Sequence, residues 1–314
     1  MAPSRNLPLH FSAVLMVLLW PVVTLAASIA AKRCPVIANH CSCVFNGPLY
    51  SLRCNALEEM ARFRTVLANI SENAVILELD AMQLDFFPIN ALHNTSVHTL
   101  IIGNSTFKSF YNLSQVHQAI PNLHHISLEN VTFLERVQWR HFSSLNNLQV
   151  LFVYNSSVES VIPANFSQHM SKEVVSITIT ESNITRIEKD SLKDLTNLTT
   201  LRISHNSLRT FERGVLSQVS KLEQLRLDSN KIRFLPAGVF EDLPHVKVVS
   251  LSNNTMSSLP EDVFSALWKP DVYLDLRGNP IKCDSRILWT VTSETKPERI
   301  IENASIPNNS LAKI

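Results

Sequence analysis

Apolar and polar positions follow one order that recurs along the chain about every two dozen residues. The clearest copy covers residues 222–243, LEQLRLDSNKIRFLPAGVFEDL, in which aliphatic residues stand at set distances from Asn230. The pair Leu225 and Leu227 has the two-residue period of a β-strand, which predicts that both side chains point inward and the residue between them outward. One short unit of this kind cannot bury its own apolar face, so we expect the copies to stack on one another as a solenoid.

Nine copies of the unit align on the position of Asn230, which we call the index position. The index positions are Met82, Ser105, Val131, Ser156, Ser182, Asn206, Asn230, Asn254 and Asn279, spaced 23 to 26 residues apart. The aliphatic pairs that precede them are Leu77/Leu79, Leu100/Ile102, Ile126/Leu128, Leu151/Val153, Ile177/Ile179, Leu201/Ile203, Leu225/Leu227, Val249/Leu251 and Leu274/Leu276. We therefore predict about nine turns over residues 59–282, with the strands forming a parallel sheet along the inner face of an arc.

The return segments carry a second row of large apolar residues, each about ten residues after an index position. The row consists of Leu92, Phe142, Phe166, Leu192, Leu216, Phe240 and Phe264. Repeating spacing is typical of core packing, so we interpret the row as a spine on the outer side of the core and not as an aromatic ligand site. The predicted fold is an α/β solenoid, an arc or horseshoe with the parallel sheet on its concave face and mostly irregular or short helical convex segments.

The index position itself predicts a difference between the two halves of the solenoid. An inward asparagine both donates and accepts hydrogen bonds, and a column of asparagines can form a ladder that satisfies the backbone at the bends. Four index positions keep the asparagine: Asn206, Asn230, Asn254 and Asn279. The serines can satisfy fewer groups, and Met82 and Val131 none. We therefore expect a regular C-terminal half with a ladder and an irregular N-terminal half without one.

Residues 1–27 are predicted to be a secretory signal peptide. Arg5 supplies the positive start, and the apolar run is FSAVLMVLLWPVV, from Phe11 to Val23. Small residues from Ala26 to Ala31 offer several cleavage points. The alternative, a membrane anchor, is less favoured because the run is short and contains Pro21. We expect a secreted, extracellular protein without a membrane span in the mature chain.

Four cysteines fall within the stretch CPVIANHCSCVFNGPLYSLRC, from Cys34 to Cys54. In a secreted chain this density predicts a disulfide-bonded N-terminal cap, placed at residues 28–58, that covers the first repeat. Spacing alone leaves three pairings open. Zinc is the alternative, and secretion and the lack of a second CxxC argue against it.

These features resemble the extracellular leucine-rich repeat proteins, and the resemblance covers residues 34–289. Within that family the chain looks like arthropod proteins similar to the non-catalytic subunit of Oplophorus-luciferin 2-monooxygenase. The stretches that carry the likeness are the cysteine-rich start, LPAGVFEDLPHVKVVSLSNNTMSSLPEDVF and DVYLDLRGNPIKCDSRILW. The resemblance implies the pairings Cys34–Cys43 and Cys41–Cys54. It also implies a binding or scaffolding role without catalytic residues.

The C-terminal end departs from the family pattern NPxxCxCxxxWL. Asn279, Pro280, Cys283 and Trp289 match, but Ser285 stands where the second cysteine is expected. We therefore predict an incomplete C-terminal cap with a polar tail at residues 283–314. Cys283 is an unpaired cysteine that can form an intermolecular disulfide, unless the chain is a fragment.

Composition and motifs argue against catalysis, cofactors and nucleic acid. The formal net charge is +1, so no strong field attracts a polyanion, and five glycines leave little material for phosphate-binding loops. The sequence contains no nucleophile elbow, zinc-protease, Walker or dinucleotide-binding motif. The adjacent His124 and His125 would point to opposite sides of a strand, which disfavours a shared metal. We expect no enzyme, no cofactor and no metal.

The outward strand positions on the concave face are the predicted partner-binding surface. The candidate residues are Phe152, Tyr154, Thr178, Thr180, Arg202, Arg226 and Asp228. Aromatic and arginine side chains dominate the energetics of protein interfaces. The alternative is that neighbours half cover Phe152 and that the arginines merely pair with Asp228 and Glu223.

Twelve Asn-x-Ser/Thr sequons are candidate glycosylation sites. They are Asn69, Asn94, Asn104, Asn112, Asn130, Asn155, Asn165, Asn183, Asn197, Asn253, Asn303 and Asn308. Some must be accidental, because asparagine and serine are common in repeat bends. Asn104, Asn130, Asn155 and Asn253 stand one place before an index position, where glycans would crowd one edge of the arc.

The function predicted from these features is a secreted, non-catalytic protein that binds another extracellular protein or acts as a scaffold through its concave face. Two alternatives stay open. The chain could be an ectodomain fragment of a leucine-rich repeat receptor, or a non-catalytic subunit of a secreted enzyme complex linked through Cys283.

Overall fold

The computed structural model describes residues 41–46, 49–56, 67, 75–87, 89–110, 119–216, 220–282, 285–294 and 299–301. The chain divides into two compact units, Met1–Arg33 and Cys34–Ile314, and all described residues lie in the second. The signal peptide, Cys34, Cys283 and the sequons at Asn69, Asn112, Asn303 and Asn308 therefore lie outside the described residues.

The described strands are short and follow one another in chain order. They are β1 (Cys41–Asn46), β2 (Leu49–Asn55), β3 (Val75–Asp80), β4 (Gln83–Phe86), β5 (Val97–Gly103), β6 (Thr106–Ser109), β7 (His125–Glu129), β8 (Thr132–Phe133), β9 (Val150–Tyr154), β10 (Val161–Ile162), β11 (Ser176–Thr180), β12 (Arg186–Ile187), β13 (Thr200–Arg202), β14 (Gln224–Arg226), β15 (Val248–Ser250), β16 (Tyr273–Asp275) and β17 (Arg299–Ile301). Within the described part of the chain, twelve of them form one sheet in the order β1-β2-β3-β5-β7-β9-β11-β13-β14-β15-β16-β17. Only the β1–β2 pair in this sheet is antiparallel.

The predicted parallel solenoid is confirmed. All nine aliphatic pairs lie in this sheet or directly after its strands, from β3 to β16. The nine strands that carry these pairs stack as a solenoid of about eight turns. From β13 onward each strand has only three residues, and the second member of each pair follows the strand end.

Burial follows the two-residue period of the strands. In β9, Leu151 and Val153 are fully buried, whereas Val150, Phe152 and Tyr154 are half-buried on the opposite face. All seven residues of the second apolar row are buried, as the spine interpretation requires. The core therefore lies between the main sheet and the return segments, and the outward strand positions face away from it.

The return segments are more ordered than predicted in the N-terminal half. There β4, β6 and β8 form a three-stranded parallel sheet, and β10 pairs with β12. Two α-helical turns occur among the described residues, α1 (Glu261–Phe264) and α2 (Trp289–Thr292). The described 3-10 turns are Ile89–Leu92, Trp139–Phe142, Phe166–Gln168, Ser265–Leu267 and Ser285–Ile287.

Both ends of the solenoid are covered. At the N-terminal end, Cys41 and Cys54 lie opposite each other in the β1–β2 hairpin and form a disulfide, the pairing that the resemblance implied. Cys43 is also disulfide-bonded, but its implied partner lies outside the described residues.

At the C-terminal end, β17 extends the sheet beyond β16. Ile287 is buried, and the Trp289 Nε1–H donates to the Leu259 carbonyl at 2.8 Å. The Trp289 ring lies 4.8 Å from that of Trp268, centroid to centroid. Apolar packing by this segment covers the last repeat.

Candidate functional site

Each turn bends at the residue before its index position, where the backbone is left-handed. The φ angles there run from 43° to 73°, at Ala81, Asn104, Asn130, Asn155, Glu181, His205, Ser229, Asn253 and Gly278. Asparagine and glycine tolerate this conformation better than most residues. Four predicted sequons at these bends, and Asn183 with a φ of 59°, thus have a conformational reason for their asparagine, independent of any glycan.

The asparagine ladder is present and connects consecutive turns. The Asn230 Oδ1 accepts from the Leu208 backbone N–H at 3.0 Å. Its Nδ2 donates to the Ile203 carbonyl of the preceding turn at 2.7 Å and to the Leu227 carbonyl of its own turn at 3.0 Å. Asn206, Asn254 and Asn279 repeat this arrangement, and all four asparagines are buried.

The expectation that the first half has no ladder is wrong for the bends at Met82, Val131 and Ser156, whereas Ser105 gains no such contact because the Val131 side chain is apolar. The Met82 backbone N–H donates to the Ser105 Oγ at 3.0 Å, and the Val131 N–H donates to the Ser156 Oγ at 3.0 Å. The Ser156 N–H in turn donates to the Ser182 Oγ at 3.2 Å. A hydroxyl accepts from the index N–H of the preceding turn, so the serines continue the ladder with fewer bonds per rung.

The predicted partner-binding residues come together on adjacent strands of the concave face. Phe152, Thr178, Arg202 and Arg226 stand in one row across β9, β11, β13 and β14, and Tyr154 and Thr180 pair in the next row. Asp228 lies two residues after Arg226. Because neighbouring strands lie about 4.8 Å apart, the two arginines are close neighbours and Phe152 is about 10 Å from Arg202. We call these seven residues the concave patch.

The arginines do not make the ion pairs that the alternative interpretation required. Glu223 pairs with Lys247 at 3.3 Å instead. Within the part of the chain that the structure describes, neither Arg202 nor Arg226 forms a salt bridge with an acidic residue. Both are half-buried, so the patch presents two neighbouring cations without a carboxylate directly paired to them.

A serine connects Arg202 to the acidic member of the patch. The Arg202 Nε–H donates to the Ser204 Oγ at 3.2 Å, and the Ser204 hydroxyl donates to the Asp228 Oδ1 at 2.8 Å. The other Asp228 oxygen lies 3.9 Å from the His205 Nε2. These contacts orient Arg202 and Asp228 before any partner binds. The role of Ser204 could not be read from the sequence, because it depends on side-chain directions at the folded bend.

The threonines and the aromatic ring of the concave patch differ in accessibility. Thr180 is buried, with 7% exposure, so it can offer little contact, whereas Thr178 and Phe152 are half-buried.

Partial burial raises the pKa of Tyr154, and so does the Glu181 carboxylate, which accepts a hydrogen bond from the Tyr154 hydroxyl. Tyr154 is thereby held as a neutral donor at the edge of the patch.

Farther along the sheet, the charge of another arginine, Arg277, is neutralised. Arg277 makes a two-pronged contact with Asp275, with distances of 2.9 and 2.7 Å. Burial alone would raise the pKa of Asp275, but the hydrogen bonds and charge of Arg277 outweigh it and the pKa is lowered. Among the arginines of this face whose side chains the structure describes, Arg53 and Arg277 are paired, whereas Arg202 and Arg226 form no salt bridge.

A histidine cluster lies at the starts of β5 and β7. The rings of His98 and His124 stack at 4.4 Å, and burial followed by the neighbouring His98 lowers the pKa of His125 to about 4. Burial and then His124 lower the pKa of His98 as well. The sequence showed the adjacent His124 and His125 but not His98, which joins them only through strand register. Among the described residues, no group of three His, Cys, Asp or Glu side chains is placed to hold a metal ion.

Three predicted sequons form an exposed amide chain along one edge. The Nδ2 of Asn104 donates to the Asp80 carboxylate at 2.8 Å, that of Asn130 to the Asn104 Oδ1 at 3.2 Å, and that of Asn155 to the Asn130 Oδ1 at 2.9 Å. Asn130 and Asn155 also border a polar cleft of about 360 Å³. Their side chains are exposed, and their glycosylation stays a prediction.

The leucine-rich repeat family model matches residues 172–232 and again residues 220–281. No curated protein matches the chain. The two matches and the parallel solenoid support a leucine-rich repeat protein, a class whose repeat domains generally mediate protein–protein interaction and are typically non-enzymatic. No helix in the described part of the chain has the length and apolar character needed to cross a membrane.

Proposed function

We propose that this chain is a secreted, non-catalytic protein that binds another extracellular protein through the concave patch. The observation that carries the proposal is the row Phe152, Thr178, Arg202 and Arg226, in which two arginines without paired carboxylates stand near a half-buried aromatic ring. An arginine without an acidic partner in its own chain is free to bind a carboxylate of another.

The partner that fits this patch presents acidic and apolar groups side by side. A carboxylate would lie over Arg202 and Arg226, and an apolar side chain would contact Phe152. Ser204 and Asp228 hold Arg202 in place, so less side-chain entropy is lost on binding. A role beside an enzyme subunit, as the resemblance to the Oplophorus non-catalytic subunit suggests, needs the same kind of surface and no catalytic residue.

The test is cross-linking mass spectrometry on the secreted protein in its native fluid, with Phe152→Ala and Arg202→Ala combined. We expect the double variant to lose about tenfold or more of its cross-links to the partner, because truncated interface anchors typically cost 1–2 kcal/mol or more each. A matched control, Tyr273→Ala with Lys269→Ala, removes an aromatic and a cation outside the concave patch and should keep the cross-links. Equal retention by both variants would show that the concave patch is not the site.

The presence or absence of a glycan on Asn155 narrows down where the partner contacts the concave patch. A glycan there would stand beside Tyr154 and restrict access to it. Glycopeptide mapping of the secreted protein measures the occupancy directly. If Asn155 is modified, we expect cross-links to centre on β13 and β14; cross-links centred on Tyr154 in the glycosylated form would contradict this placement.

A further inference from the structure

A second surface of unusual composition lies on the segments that leave the bends of two regular turns. Its members are Arg209, Lys231, Arg233 and Phe234, which we call the flank patch. All four side chains are exposed, and Phe234 is 64% exposed, whereas the alternating Leu208 and Ile232 are buried. The patch therefore faces outward on a side of the turns separate from the concave strands.

The backbone fixes the spacing of these cations. The Lys231 N–H donates to the Leu208 carbonyl at 2.8 Å, and the Arg233 N–H lies 3.4 Å from the Arg209 carbonyl. These contacts align the two segments side by side, at the spacing of about 4.8 Å that hydrogen-bonded extended chains adopt. Along one segment, Lys231 and Arg233 are two residues apart, which in an extended chain is about 6.6 Å.

The charges of the patch are not compensated within the described residues. Two other exposed arginines on the return segments are paired: Arg186 with Glu188 at 2.7 Å and Arg213 with Glu241 at 2.9 Å. Arg209, Lys231 and Arg233 form no salt bridge in the part of the chain that the structure describes. Arg233 instead lies over the Phe234 ring, 5.0 Å from its centroid, an arrangement that holds both groups at the surface.

We propose that the flank patch binds an acidic, extended segment of a partner protein, at a site separate from the concave patch. Alternate side chains of an extended peptide also recur at about 6.6 Å, so two carboxylates can meet Lys231 and Arg233 while the chain runs along the segment. Arg209 adds a third cation beside them, and Phe234 offers an apolar contact at the end. Exposed aromatic and arginine side chains are the residue types enriched at protein interfaces.

Two observations favour a polypeptide over a sulfated polysaccharide. The patch contains three cations on a chain of formal net charge +1, too little charge for binding dominated by a polyanion field. Its most exposed member is an apolar ring. The surface is also free of predicted glycan sites, because no sequon occurs between Asn197 and Asn253.

The experiment measures binding of a fluorescent ten-residue peptide of alternating glutamate and valine to the full secreted chain by anisotropy. Charge reversal at Arg209→Glu with Arg233→Glu should weaken binding about tenfold or more, since two attractive contacts become repulsive. Phe234→Ala should weaken it about threefold. Lys193→Glu with Lys269→Glu changes the net charge equally at exposed positions elsewhere and should leave binding within about twofold.

In the background of Arg202→Ala with Arg226→Ala, in which the concave patch has lost its cations, the reversal Arg209→Glu with Arg233→Glu should still weaken peptide binding about tenfold, which separates this site from the concave patch. Three outcomes would overturn the proposal: no binding of the peptide at low salt, equal loss from the flank and control reversals, or tighter binding of a heparin fragment than of the peptide. The last result would assign the surface to a polysaccharide.

Discussion

The turns before Ser182 and those after it stabilise the same kind of bend by different means. In the later turns one buried asparagine per repeat accepts from a backbone N–H of the preceding turn and donates to carbonyls of both turns. In the earlier turns a serine hydroxyl accepts from the preceding index N–H and donates to a carbonyl two residues back. Different side chains can thus connect neighbouring turns at this point, and Val131 shows that one turn of this solenoid forms without such a connection.

Among the described residues, the earlier turns have a second sheet and more aromatic contacts than the later ones. Their return segments form the β4-β6-β8 sheet, and a chain of aromatic rings fills the core beside it. Phe87 contacts Phe107 at 5.6 Å, Phe107 contacts Phe133 at 5.5 Å, and Trp139 contacts Phe166 at 5.1 Å. The family model matches only from residue 172 onward, in the half where the regular asparagine and leucine spacing is kept.

The largest effect is expected from the aromatic core of the earlier turns. Trp139 is buried, and its Nε1–H donates to the Val161 carbonyl at 2.7 Å. Trp139→Ala should cost roughly 3–5 kcal/mol of unfolding free energy, because it leaves a cavity and an unpaired carbonyl. Repeats contact only their neighbours, so hydrogen exchange should show lost protection in β9 and β11 but not in β15 and β16.

Trp139→Phe is the control for this variant. It keeps most of the ring volume and loses the hydrogen bond, so its cost should be clearly smaller. Uniform loss of protection along all strands would show that the two halves unfold as one unit, and the comparison between them would fail.

Acid should weaken the earlier turns first. The pKa of His125 is lowered to about 4, so between that value and the ordinary pKa of about 6.5 the unfolded chain binds more protons than the folded one. Stability is therefore complete above about pH 6.5 and is lost as the pH falls through this window, by at most about 3 kcal/mol for His125. Denaturant unfolding between pH 7 and pH 4 measures this loss of stability, and amide hydrogen exchange at β5 and β7 locates it.

His125→Gln removes the titrating group and should flatten this dependence, apart from the smaller contribution of His98. An unchanged pH slope in the variant would assign the acid sensitivity to carboxylates elsewhere. Loss of the later turns before the earlier ones would contradict the predicted order.

The two kinds of ladder rung should differ in their contribution to stability. Asn230→Ala leaves the Leu208 N–H and the Ile203 carbonyl without their side-chain partner, which should cost roughly 1–3 kcal/mol. Ser182→Ala removes an acceptor from the Ser156 N–H and one donor bond, for about 1 kcal/mol. Thermal melting of both variants, with Asn230→Ser as an intermediate, provides the comparison. Equal costs would mean that the asparagine adds nothing over the serine.

The main sheet could be predicted because its signals are regular: aliphatic pairs with a two-residue period, repeated about every two dozen residues, fix both the strands and their alignment. The row from Phe152 to Arg226 followed from the same alignment. The second sheet could not, because four-residue segments such as Thr106–Ser109 show too few alternations to distinguish a strand from an irregular return.

The polar contacts of the concave patch could not be predicted from the sequence, for a different reason. Whether Glu223 pairs with Arg226 or with Lys247 depends on side-chain directions at the starts of β14 and β15. Whether Ser204 connects Arg202 to Asp228 depends on side-chain directions at the bend, where several residue types occupy the left-handed position before the index residue. The serine rungs were missed because the reach of a hydroxyl depends on the same bend.

The smallest predicted change in stability concerns the left-handed residue before the index position, and it is a gain where the changes above are losses. Ala81 occupies this position with a φ of 53°, whereas the equivalent Asn104 and Asn130 belong to the residue type that tolerates it best. Ala81→Asn should therefore stabilise the chain by about 0.5–1 kcal/mol, and it creates no sequon because Gln83 follows at the second place. Asn130→Ala should destabilise by a similar amount, and it also removes the hydrogen bond to Asn104. Paired melting curves of these two variants check both signs. If neither variant changes the melting temperature, the asparagines of this edge are not retained for their backbone conformation. Glycan attachment then becomes the better reason for the row Asn104, Asn130 and Asn155.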